Sequence, residues 1–218
     1  MPVKEISLKM SRQDSGTEKS RSRESREIRQ QRILDATVCC VRRSGFHGAS
    51  MADIAAEAKM SVGVIYRYFA SKEAIIEAIV AKDMAEISAK FGKWETTPDD
   101  QLVDSLLGIV EPAVAHQFDL DKAGLALEVL SEAARNPRVA AMIARADAEE
   151  RQLGRSLWRR LAPGLDEAQL AAREDLMVTL FDGLIVRAVS NPATDRETLA
   201  RAIRQVMRLL MTLPADAL

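Results

Sequence analysis

The stretch VGVIYRYFASKEAI, residues 62–75, holds both tyrosines of the chain, Tyr66 and Tyr68, on either side of Arg67 and beside Phe69. Aromatic residues are only 4% of the 218, so their concentration here asks for a reason. With a glycine and four β-branched residues, the stretch read alone fits a buried strand as well as a short helix. Its neighbours decide for the helix. Upstream, Ser50 stands three residues before Asp53, a capping-box spacing in which the serine oxygen accepts from a free helix N–H and the acid suits the positive end of the dipole. This opens a short alanine-rich helix from Met51 to about Ala58. Lys59-Met60 makes a tight connection, and Ser61 is placed to cap a second helix in which Ile65 and Phe69, four residues apart, share a face. Two short helices so joined form a helix-turn-helix.

On either side the pattern stays helical. From about Ser25, residues Ile28, Leu34, Val38 and Val41 recur at helical spacing until Ser44-Gly45 stops the run. Residues 1–25, rich in Ser, Arg, Lys and Glu, read as a disordered basic arm. Basic arms can enter a minor groove, but acids dilute this one and a solvated tail fits it equally. Ser71 caps a helix running to about Trp94, and Pro98-Asp99 opens another that Pro112 should kink or end. Asp121 leads into a further helix, and Asn136-Pro137 starts one reaching about Leu161. Asp166 begins a helix that stops at Asn191-Pro192, and Thr194 with Glu197 forms a second capping box for the last, ending near Leu213-Pro214. The expected fold is all-α with about nine helices. The helix-turn-helix falls in an expected first domain, residues 26–73, and the remaining helices in a second, 74–218.

Composition narrows the function. Apolar residues at 47% and charged residues at 29% describe a globular chain with no run long enough to cross a membrane and no apolar leader at its start. Cys39 and Cys40 are adjacent, without metal-ligand spacing, and read as reduced thiols in the cytoplasm. The net charge of −1 hides an asymmetry: residues 1–70 carry 13 Lys and Arg against 8 Asp and Glu, and the remainder carries 18 against 24. A basic first third on an acidic body points that third toward a polyanion. Two histidines, no glycine-rich phosphate loop and no G-x-S-x-G elbow speak against an enzyme. No catalytic residue, cofactor or metal is expected.

The motif GVIYRYFASKEAII resembles the signature of tetracycline-repressor (TetR) family regulators, and so do Gly48-Ala49-Ser50-Met51-Ala52-Asp53-Ile54-Ala55 and RILDATVCCVRRSGF before it. The match covers residues 26–75, and FDGLIVRAVSNP, residues 181–192, is similar to the penultimate helix of many members. Tyr68 departs from it, standing where histidine is frequent. The resemblance implies a cytoplasmic homodimer that binds a short palindromic DNA operator and is released by a small-molecule effector. It also implies a dimer interface built from the last two helices. Its rivals are a DNA-binding architectural protein without a ligand and, at greater distance, a helical enzyme.

Within that frame Lys72 sits in the first helical turn after Ser71, where a cation opposes the helix dipole unless a phosphate docks there. The resemblance assigns Tyr66 and Tyr68 to phosphates as well, although one of them can instead pack in the domain with only its hydroxyl wet. Gly63 lets the helix approach a groove closely. Val62 and Val64 suit thymine methyls, and Arg67 fits guanine O6/N7 or a phosphate equally. Ser50 and Ser61, at helix starts, complete the candidate DNA contacts, though capping alone explains Ser50.

For the body, Met84, Phe91, Trp94, Leu106 and His116 are candidates to line an apolar effector pocket between helices. So are Leu127, Met142, Trp158, Met177 and Phe181. Most of them fit plain core as well, and His116 fits a helix end. Dimerisation is expected in residues 166–213, through Leu176, Leu180 and Leu184 on one helix and Ile203, Val206 and Leu210 on the next, with Gly183 permitting a close crossing.

Overall fold

Short polar side chains at the predicted turns become helix caps in the computed structural model, which describes the backbone of residues 4–214 and the side chains of residues 25–214. Helix α1 spans Lys4–Gly48 and leaves helical geometry at Gly45, where φ is 72°. Residues 4–25, expected as a disordered arm, therefore continue α1. The arm's basic side chains ahead of Ser25 lie outside the described residues.

Ser50 caps α2 (Met51–Glu57) by the expected reciprocal pair: its hydroxyl accepts from the Asp53 N–H at 3.1 Å, and its own N–H donates to Asp53 Oδ2 at 2.9 Å. Ser61 caps α3 (Val62–Tyr68), and Ser71 caps α4 (Lys72–Glu95). Gly108-Ile109 splits the next stretch into α5 (Asp99–Leu107) and α6 (Val110–Gln117). Pro112 thus sits in the first turn of α6, where a missing N–H leaves no bond unmade, and ends nothing. With this division there are ten helices among the described residues, in keeping with the all-α fold of about nine that was expected. Asp119, not Asp121, caps α7 (Leu120–Ala133). Asn136 caps α8 (Pro137–Leu161), and Asp166 pairs reciprocally with Gln169 at the start of α9 (Glu167–Ser190). For α10 (Arg196–Thr212) the cap is Asp195, whose carboxylate takes the N–H groups of Glu197 and Thr198 while Thr194 bonds back to Asn191. A carboxylate beats a hydroxyl here because it adds charge at the positive helix end.

Two apolar cores result. The first joins Ile33, Phe46, Ile54, Ile65 and Phe69 to Ile75, Ile76 and Ile79 of α4, Leu125 and Val129 of α7, and Val139 and Met142 of α8. The boundary expected at residue 73 therefore falls inside a shared core. The second is built from α4 to α10 around Leu102, Leu107, Val110, Leu170 and Ile203. Among the described residues there is no strand, and no helix is long and apolar enough to cross a membrane.

Leu184, Ile203 and Leu210, expected between two copies of the chain, are buried in this second core, whereas Leu176, Val186, Val206 and Leu209 are exposed. Helical spacing identified α9 and α10 as amphipathic, but each carries two apolar stripes, and spacing alone does not say which one turns inward. Arg173, fully buried, donates to the Leu210 and Pro214 carbonyls and so closes the end of α10. Arg160 ties the end of α4 to the start of α5, donating to the carbonyls of Trp94, Glu95 and Thr97 and to the Asp99 carboxylate. Arg160→Met keeps the stem but takes the guanidinium away from these four acceptors. It is expected to lower stability by roughly 1–3 kcal/mol, read as a lower urea midpoint with an unchanged slope.

Candidate nucleic-acid interface

A helix of two turns presents a face only if something holds its other face. Ile65 and Phe69 do this for α3, at 0% and 7% exposure, and the outward side is left to Val62, Gly63, Tyr66 and Arg67, all exposed. Val64 is half-buried. Phe69 adopts extended geometry and ends the helix. At the front, Ser61 Oγ accepts from the Val64 N–H at 3.3 Å. Gly63 faces open space, since an added Cβ would meet nothing within 4 Å. The turn before α3 passes through Lys59 at φ 55°, a left-handed residue, with the Met60 N–H returning to Ala55 O at 2.9 Å.

The two tyrosines part company. Tyr66 is 53% exposed, whereas Tyr68 is half-buried against the first core with the Arg26 guanidinium 6.0 Å from its ring centre. Ser50 is committed to its capping box: its hydroxyl also donates to Asp53, and these bonds hold the Asp53 carboxyl below its usual range.

Lys72 is the main departure from expectation. Its ammonium points inward, donating to the Phe46 carbonyl and, at 2.8 Å, to the Ala49 carbonyl, and it lies 4.3 Å from the centre of the Phe46 ring. Burial lowers its pKa, partly opposed by Glu73 and Glu132. In this structure Lys72 braces α4 against the end of α1. Two other braces carry no local sequence signal. Arg32 of α1 donates to the Ala58 carbonyl at the end of α2 at 2.6 Å, and Glu128 of α7 accepts the Phe46 N–H at 2.9 Å across 82 positions of sequence.

The structure does not gather the ten pocket candidates into one cavity. Trp94, Leu106 and Trp158 are buried in the second core and Met142 in the first. Phe91, Leu127, Met177 and Phe181 are half-buried against the second core, and Met84 is half-buried outside both. His116 is exposed, its Nδ1 3.0 Å from Lys122 Nζ; partial desolvation and then that cation lower its pKa. A cleft of about 290 Å³ opens between α4 and α8, walled by Glu73, Glu77, Arg138 and Arg145 over Val139 and Met142, and of the ten candidates Met142 alone lines it. Among the described residues no group of three His, Cys, Asp or Glu is placed to hold a metal.

The profile described as bacterial regulatory proteins, tetR family, matches residues 33–79, and that of the BetI-type transcriptional repressor C-terminal region matches residues 103–215. The second alone covers more than half of the chain. The chain belongs to the tetR family of bacterial regulatory proteins. The family profile takes in α2, α3 and the start of α4, the same helices that present the exposed face. Among relatives, the HTH-type transcriptional regulator UidR of Escherichia coli is 34% identical over 114 residues, 51% of this chain and 55% of that protein. The chain thus spans about half the length of UidR. The regulator BetI of Vibrio parahaemolyticus is 27% identical over 179 residues, 81% of this chain and 88% of BetI. The solved structure of Salmonella enterica GusR superposes with a TM-score of 0.67 at 26% identity, covering 84% of this chain and 95% of that one.

Because Lys72 closes carbonyls at the α1–α2 junction, Lys72→Met is expected to cost folding stability, roughly 1–3 kcal/mol, before DNA is considered. Chemical denaturation without nucleic acid reads this directly, and an unchanged midpoint would contradict the bracing role.

Proposed function

We propose that the chain is a homodimeric transcriptional repressor that binds a palindromic DNA operator and leaves it when a small apolar or amphipathic molecule binds the C-terminal domain. The observation that carries this reading is α3, a capped helix with its apolar side buried and Val62, Gly63, Tyr66 and Arg67 facing outward. A helix presented this way fits the major groove, with Gly63 allowing close approach. Ser61, Val62, Gly63, Val64 and Arg67 are assigned to the groove, Tyr66 and the Tyr68 hydroxyl to phosphates. Phosphate contacts position the protein, and base contacts carry the sequence information. Ser50 and Lys72 serve this surface from behind, by holding the elements that present it.

The dimer is assigned to the outer stripes of α9 and α10. Leu176, Val186, Val206 and Leu209 are between 41% and 56% exposed, and Gly183 lies open among them. Two such helices from each copy form a four-helix interface around a two-fold axis. A dimer gives two α3 helices that can enter successive major grooves about 34–36 Å apart. The effector is assigned to the half-buried Phe91, Leu127, Met177 and Phe181, which pack against the second core. Acting on chromosomal DNA, such a protein works in the cytoplasm. By linkage, an effector that weakens DNA binding is itself weakened by DNA to the same extent.

Three measurements test this reading. Val206→Asp with Leu209→Asp is expected to yield monomers by light scattering at micromolar concentration, with DNA affinity falling by orders of magnitude; a surviving dimer refutes the interface. Arg67→Ala is expected to cost roughly 1–3 kcal/mol on a duplex selected from random DNA and to relax one base position. Tyr66→Phe should weaken selected and scrambled duplexes equally. If it and Arg67→Ala leave both affinities unchanged across a salt series, α3 does not read DNA.

A further inference from the structure

The turn that joins α1 to α2 is gripped from two sides. At Gly45 the chain takes a positive φ that L side chains rarely adopt, and the turn is closed by the Ala49 N–H to Gly45 O at 3.1 Å. Phe46 follows with its side chain sealed in the first core at 2% exposure. Its backbone is divided between two other helices: the N–H donates to Glu128 Oε2 of α7 at 2.9 Å, and the C=O accepts from Lys72 at the start of α4. A Cβ added at Gly45 would lie 3.3 Å from that same Glu128 oxygen, so glycine also permits this close approach of α7.

The contact is part of a seam. Asp121, Glu128 and Glu132 follow one another at spacings of seven and four residues, which place them on one face of α7. Asp121 pairs with Arg42 of α1. Glu132, buried and held below the usual carboxylate range by Asn136 and Arg135, has an oxygen 3.0 Å from His47 Nε2. One helix of the C-terminal domain thus tracks the end of α1 and terminates on the residues that aim the Ser50 cap of α2.

We propose that Glu128 is a positioning residue through which α7 sets the angle of the helix-turn-helix. A displacement of α7 by about 1 Å carries the Glu128–Phe46 bond beyond hydrogen-bond range and frees the kink to take another angle. Two helices meet at Phe46: α7 holds its donor and α4 its acceptor. What the coupling is for rests on the regulator reading above; that the latch exists does not.

The test uses the full-length protein and three substitutions. Glu128→Gln keeps an acceptor oxygen in place and is expected to behave as wild type. Glu128→Ala removes the acceptor, and Glu128→Asp withdraws it by one methylene, so Glu128→Asp carries the test should Glu128→Ala not fold. Without DNA, amide exchange over residues 45–47 is expected to accelerate about tenfold in Glu128→Ala and Glu128→Asp, while α3 and α10 keep their protection. With duplexes selected against the wild type, and spacers between half-sites lengthened or shortened by one base pair, discrimination between spacings is expected to shrink by roughly tenfold, within the range of site-to-site coupling. A merely structural role would lower affinity for every spacing alike. Unchanged exchange in Glu128→Ala and Glu128→Asp overturns the proposal, as does an effect of Glu128→Gln equal to theirs or a uniform loss across spacings. If the wild type selects no duplex at all, the regulator reading fails, and the exchange measurement alone decides the latch.

Discussion

A seven-residue helix has almost no stability of its own in water, because forming its first turn fixes several residues for a single hydrogen bond. Helix α3 therefore exists only through the burial of Ile65 and Phe69, and everything it presents follows from that constraint. With those two side chains inward, helical geometry sends Tyr66 and Arg67 outward. The core that Ile65 and Phe69 join is not private to the helix-turn-helix. It continues through Ile79 of α4, Leu125 and Val129 of α7, and Val139 and Met142 of α8. A rearrangement of α7 or α8 is thus a rearrangement within the core that holds α3.

Whatever in this structure depends on neighbours in sequence was legible in the sequence. The Ser50–Asp53 box, the Ser61, Ser71 and Asn136 caps, the break at Gly45 and the inward pair Ile65/Phe69 are local chemistry, and all stand where that chemistry puts them. Errors of one or two residues arose where two cap residues competed, as at Thr194 and Asp195, or Asp121 and Asp119. Lys72 illustrates what local reading misses. Its place in a first helical turn argues for an anion, yet the carbonyls that hold it come from residues 23 and 26 positions earlier. The choice between the two apolar stripes of α9 and α10 was illegible for the same reason, because it depends on α5, α6 and α8 lying against one stripe and leaving the other bare.

The charge asymmetry takes on a more specific meaning in three dimensions. Under the DNA-binding reading proposed above, an acidic body would repel the duplex if its carboxylates faced the groove. Several are instead turned onto the head itself: Asp121 on Arg42, Glu128 on the Phe46 N–H, and Glu132 on His47. Others pair within the body, where Glu111 and Asp104 meet Arg204 and Arg208 of α10. The two groups overlap in physical kind. The α10 pairs and Arg42–Asp121 are exposed and screened by salt, so each contributes little. Glu132 is buried although His47 and Arg135 are not, and Glu128 holds a backbone N–H rather than a charge. Salt screens such bonds less than it screens exposed pairs. Under the reading proposed above, phosphate contacts weaken steeply with salt. Ionic strength then changes the grip on DNA more than it changes the angle at which the helix-turn-helix is held.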